Sequence, residues 1–128
     1  MRPETIEWIE KAEGYWHTAN RENQVSDFPN FDAVCFHSQQ CVEKYLKGWL
    51  VEAAIYFPKT HHLPFLLELA LPSLPGIETY RDPLSRLAPY AVDLRYPGDK
   101  AGGLSAKAAF RDCSEVRLFI RQQFDLDS

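Results

Sequence analysis

A chain of 128 residues fits one domain and is long enough to bury a core without a metal or a disulfide framework. Its 45% hydrophobic and 25% charged residues belong to a folded globular protein and exclude disorder as the working state. A net charge of −4, from 14 basic and 18 acidic residues, excludes a bulk positive field, so any contact with nucleic acid must rest on a local patch.

In chain order, Thr5 to Asn23 places Ile6, Ile9, Ala12, Trp16 and Ala19 at spacings of three and four, which predicts an amphipathic helix. Trp8 and Tyr15 fall off that stripe and are open to contact with another chain. Ser26 to Asn30 reads as a turn. Residues 31–55 then form the centre of the chain, with Val34, Cys35, Cys41, Val42, Tyr45, Leu46, Trp49, Leu50 and Ala53 on one broad apolar stripe that includes Ser38. His37, Gln40, Lys44 and Lys47 share the opposite face, and Gln39 and Glu43 sit at the border, placed to satisfy polar groups inside the bundle or across a dimer seam. Phe57-Pro58 closes this helix.

Thr60 is the expected N-cap of a short helix from His62 to Leu71, with Pro64 in its first turn and Leu63, Leu66, Leu67 and Ala70 buried. Pro72 to Glu78 reads as a loop. Asp82-Pro83 starts a further helix carrying Leu84, Leu87, Ala91 and Leu94, which Pro89 must kink or split. Pro97 to Gly103 is a loop, and Ser105 is the expected cap of a last helix. That helix buries Ala109, Cys113, Val116 and Ile120, with Phe110 and Phe124 beside them and Arg111, Arg117 and Arg121 pointing away. No alternating strand pattern, repeat or low-complexity tract interrupts this order. The predicted fold is all-α, an up-and-down helical bundle of four to five helices in a single domain spanning residues 1–128.

The three cysteines, Cys35, Cys41 and Cys113, are odd in number and lie in helical patterns, so they are expected to be buried reduced thiols. The opening MRPETIEWIEKAEG has acids where a signal peptide needs an apolar run, and no apolar run approaches the roughly 18 residues of a membrane span. A soluble cytoplasmic protein without membrane contact is expected.

Several chemistries are missing. Gly102-Gly103 lacks the Lys-Ser/Thr of a phosphate loop, and neither HExxH nor ExxH is present. Cys35 and Cys41 match no common zinc spacing, and no carboxylate or thiol near His61-His62 in sequence completes a shell, so neither metal nor cofactor is expected. What remains suits an anion. Two lysines and an imidazole on one helix face supply donors and positive charge for a phosphate. Lys59-Thr60-His61-His62 opens a helix whose free N–H groups favour an anion. Farther on, Arg95 can fork onto a phosphate and Tyr96 can stack a base.

FHSQQCVEKYLKGWL (36–50), FPKTHHL (57–63) and YAVDLRYPGD (90–99), in that order and at that spacing, resemble the HEPN domain family, and the likeness spans most of the chain. The resemblance implies a helical bundle that dimerises and a role around nucleotides or RNA. It also implies a minimal nucleotidyltransferase as the common partner, in a toxin–antitoxin pair. Many HEPN domains are metal-independent ribonucleases using an Arg followed by a His after four to six intervening residues. This chain has no such pair: its last histidine is His62, and Arg2 and Arg21 lie too far from any histidine that follows. It therefore resembles the branch that binds nucleotides or a partner rather than cutting RNA.

The leading expectation is a homodimeric module binding a nucleotide or RNA phosphate through His37, Gln40, Lys44, Lys47, His61, Arg95 and Tyr96. One alternative is a divergent metal-independent ribonuclease with His61 as acid–base and Arg95 steadying the phosphorane charge. Another is a protein-interaction module without a ligand, meeting its partner through Trp8, Tyr15 and Phe36.

Overall fold

Our computed structural model describes residues 1–94 and 96–127, and no strand occurs among them. Five α-helices, α1 (Pro3–Asn23), α2 (Phe31–Glu52), α3 (Leu63–Ala70), α4 (Arg81–Leu87) and α5 (Gly103–Gln123), alternate with 3-10 segments at Pro75–Tyr80 and Ala88–Ala91. The all-helical bundle expected from periodicity is the fold observed.

The three long helices build the frame. At one end of the α1–α2 pair the Thr5 hydroxyl donates to Glu52 at 2.9 Å, and at the other the Asn30 amide donates to Glu22 at 2.7 Å, so α1 and α2 run antiparallel. Gly103 at the start of α5 abuts the Phe31 ring at the start of α2. At the far end the Trp49 and Phe124 rings lie 5.1 Å apart, which sets α5 parallel to α2. From α2 alone Val34, Cys35, Cys41, Val42, Tyr45, Leu46 and Leu50 are fully buried. Each such leucine contributes roughly 2 kcal/mol by burial. Helices α3 and α4 cover the remaining core with Leu63, Leu66, Leu67, Ala70, Leu84 and Leu87.

Local chemistry explains the boundaries. Asn30 caps α2 by accepting from the Ala33 amide at 3.0 Å. At its other end the Ile55 amide reaches back to the Leu50 carbonyl and the Ala54 amide to Val51, with Ala54 at φ +58°. Helix α5 closes in the same way through Asp125 and Leu126, a left-handed residue satisfying the last carbonyls in each case. Helices α1 and α2 approach closely at Gly48, where an added Cβ would lie 3.2 Å from Trp8 Cβ.

Several expectations are corrected. Helix α1 begins at Pro3, a residue suited to a first turn, and buries Thr5 where Ile6 was expected; Ile6 is 43% exposed. Ala53 is the exposed C-cap of α2. Helix α3 is capped by His62, whose Nδ1 accepts from the Phe65 amide at 3.2 Å, while Thr60 accepts from the His62 amide. Half of the expected 72–78 loop is the 3-10 turn at Pro75–Tyr80. Helix α4 starts one residue before Asp82, and Pro89 splits it from the 3-10 turn that follows. Gly102, not Ser105, stands at the cap of α5. Arg117 and Arg121 turn inward because Glu13 of α1 faces them. The three cysteines are buried and free.

Candidate functional site

The polar face of α2 is not a solvated one. Gln40 and Lys47 are each only 6% exposed, because α1 packs on one side of this strip and the 57–61 segment on the other. At the centre lies Glu43, fully buried, whose carboxylate accepts from Gln39 Nε2 at 3.1 Å, Lys44 Nζ at 2.9 Å and Lys47 Nζ at 3.0 Å. His61 Nδ1 sits 3.0 Å from the same carboxylate, and its backbone carbonyl accepts from Gln39. Gln40 extends the chain, donating to Gln39 at 2.7 Å and accepting from Lys44 at 3.0 Å.

Burial alone would push the Glu43 carboxyl up, but the donors from Lys44, Gln39 and Lys47 outweigh it and hold the group below its ordinary value. Two ammonium groups against one carboxylate leave a net positive charge on this cluster. Lys44 spends two of its three N–H donors on Gln40 and Glu43, and Lys47 spends one on Glu43. Aromatic rings wall the strip. Lys44 Nζ lies 5.9 Å from the centre of the Tyr15 ring, and Lys47 Nζ lies 5.7 Å from Trp8 and 5.9 Å from Phe57. Trp8 and Phe57 meet edge-on at 6.2 Å.

His37 continues the strip one turn before Gln40. Its Nδ1 donates to the Ala33 carbonyl at 2.9 Å, which leaves Nε2 as the acceptor of the neutral ring. Burial holds this imidazole below its ordinary value. The ring packs edge-on to Tyr15 and Phe36, each at 5.6 Å, and borders an open depression of about 330 Å³ with Lys11, Gly14, Tyr15 and Thr18. Trp8, Tyr15 and Phe36 therefore all have packing partners within the chain.

Five of the seven predicted site residues, His37, Gln40, Lys44, Lys47 and His61, thus lie along one strip. Tyr96 is not joined to them by a hydrogen bond, ion pair or ring contact among the described residues; it stands 72% exposed on a turn that the Asp99 amide closes. Arg95 lies outside the described residues. The expected anion cradle at the start of α3 is already occupied, since Pro64 has no N–H and His62 caps Phe65. Sequence spacing missed the central part of Glu43 and the walls from Trp8 and Phe57. The only available signal was the border position of Glu43, one residue before Lys44 and four before Lys47. Among the described residues no group of three His, Cys, Asp or Glu side chains is gathered to hold a metal. No described helix is long and apolar enough to cross a membrane.

The family model described as HEPN domain matches residues 5–123, nearly the whole chain and every helix of the bundle. The chain belongs to the HEPN domain family. That membership makes it a nucleotide- or RNA-related module, and the Glu43 cluster lies within the matched region. No curated protein and no solved structure matches this HEPN chain.

Proposed function

We propose that this HEPN chain binds the phosphate of a nucleotide or RNA along the α2 strip and works beside a minimal nucleotidyltransferase, as in a toxin–antitoxin pair. One observation carries the reading: Glu43 holds Lys44, Lys47 and His61 in one place, leaving spare donors and a net positive charge on a strip bordered by Trp8, Tyr15 and Phe57. Charge-assisted bonds to phosphate are worth about 1.5–3 kcal/mol each, and a stacked base about 1–3 kcal/mol more. The half-exposed Tyr15 ring and the exposed Tyr96 ring offer faces for that base. Association as a homodimer or with the nucleotidyltransferase draws support from Phe28 and Leu104, 92% and 87% exposed.

The test is thermal unfolding with and without AMP, ATP, GTP and short RNA. A binder at a hundredfold excess over its dissociation constant stabilises the fold by about 2.7 kcal/mol. The shift is expected to vanish in Lys44→Ala and to shrink as salt rises. No shift with any of these ligands would overturn the reading.

A second reading, residual ribonuclease activity, is favoured by the His61–Glu43 pair, because a carboxylate behind Nδ1 orients an imidazole for acid–base work. Metal-free cleavage of RNA that disappears in His61→Ala would support it. Intact RNA across pH 6–9 would end it.

A further inference from the structure

We propose that His61 Nε2 is the atom that meets the anion, so that the Glu43 cluster prefers a doubly charged phosphate monoester and holds it in a pH-dependent way. This rests on the phosphate-binding reading above and adds to it a contact atom, a ligand charge and a pH dependence.

The chemistry starts at Nδ1. A carboxylate oxygen only accepts, so His61 Nδ1, 3.0 and 3.1 Å from the two oxygens of Glu43, carries hydrogen in both charge states of the ring. Proton gain and loss therefore occur at Nε2. The side chain is 63% exposed, so Nε2 stays open to solvent while Nδ1 is tied to a fully buried partner. With its proton, Nε2–H is a charged donor on a ring tied to the same carboxylate as Lys44 and Lys47. Without it, Nε2 is a lone pair that repels an anion. The neighbouring His62 is built the opposite way, since its Nδ1 accepts from the Phe65 amide and protonation there would forfeit the α3 cap.

The charges around His61 are Glu43, Lys44 and Lys47 on α2, and Lys59 and His62 on its own segment. On α1, Glu4, Glu7 and Lys11 surround Trp8. With Glu43 ionised, protonated His61 raises the net charge of the Glu43–Lys44–Lys47 cluster from one to two. That matches a phosphate dianion better than a diester, which carries a single charge.

The experiment measures AMP affinity by calorimetry at pH 5.5 and 8.0, with sulfate as a second probe whose charge does not change across that range. Affinity for sulfate is expected to be on the order of tenfold higher at pH 5.5 than at pH 8.0. AMP is expected to show a smaller fall, because its own phosphate gains its second charge at about pH 6. His61→Gln, a change at an exposed side chain, is expected to bind sulfate weakly and equally at both pH values. His62→Gln is expected to keep the slope. Glu43→Gln sharpens the point: counting charge alone predicts tighter binding, whereas loss of the shared acceptor predicts weaker binding at pH 5.5. A sulfate slope that survives in His61→Gln, or moves with His62 instead, would overturn the inference while leaving phosphate binding intact. A diester bound as tightly as AMP would remove the preference for a dianion. No binding of any probe would remove both readings.

Discussion

Glu13 of α1 and Glu43 of α2 each gather two cations and further polar groups, yet they serve different ends. At Glu13 the partner is arginine: Arg117 Nε and Nη2 each lie 2.7 Å from a carboxylate oxygen, Arg121 Nη1 lies 3.7 Å away, and the Tyr45 hydroxyl donates to it. The Arg117 guanidinium also lies 4.1 Å from the Trp16 ring centre, and Arg121 donates to Tyr45 at 3.1 Å. A planar fork that matches a carboxylate edge to edge and stacks on an indole has little left to offer a ligand. This cluster ties α1 and α5 to α2. At Glu43 the partners are lysines and a histidine. An ammonium has three donors in no fixed fork, and an imidazole bound at one nitrogen presents the other. The same carboxylate chemistry uses up the donors at one site and leaves spare donors at the other.

The largest test of this contrast is stability. Arg117 is only 8% exposed, so Glu13→Ala strands a buried guanidinium and is expected to cost about 3 kcal/mol in urea unfolding. Glu43→Gln is expected to cost less, about 1–2 kcal/mol, because glutamine keeps the size of the side chain and one accepting oxygen. Equal or reversed costs would break the comparison.

Acid unfolding comes next. Burial pushes the Glu13 carboxyl up, but Arg117, Tyr45 and Arg121 outweigh it, so it too lies below its ordinary value in the fold. A carboxylate lowered on folding contributes stability that is present above the ordinary value of 4.5 and lost as pH falls through the native one. Chemical denaturation repeated from pH 7 downward is expected to show steep loss below that point. The loss should flatten in Glu13→Gln and in Glu43→Gln. His37 adds a smaller loss that begins at higher pH. Its native value is lowered, so below the ordinary 6.5 the unfolded chain takes up the proton first.

The smallest effect sets the baseline. Arg81 bridges Glu68 at 2.7 Å and Glu78 at 2.6 Å on an exposed surface. Arg81→Ala is expected to leave the urea midpoint unmoved within error, since water competes with such pairs. A clear shift there would mean that counting cations, rather than burial, decides what these clusters do.

Much of the fold was legible because periodicity is a local property. The stripe through Cys35, Cys41, Val42, Tyr45, Leu46 and Leu50 is buried as expected, and so are Leu63, Leu66, Leu67 and Ala70. Helix ends were less legible, since Ser105, Thr60 and Asp82 are all good caps and backbone geometry chose Gly102, His62 and Tyr80 instead. Five of the seven candidate site residues lie along one strip, but their setting was misjudged. A wheel drawn for α2 alone puts Lys44 and Lys47 on the side away from the core, whereas α1 and the 57–61 segment close over that side.

The sequence by itself determined that this chain is helical, where its core stripes run, and which face of α2 carries donors. These follow from residue spacing along one helix and need no neighbour. Only the tertiary structure decided that Glu43 would gather those donors and that His61, eighteen residues away, would join them with one nitrogen facing out. Only the fold, too, turned Arg117 inward to Glu13, across 104 positions of chain. An ion pair is a contact in space, and no pattern within a single helix encodes which distant charge will complete it.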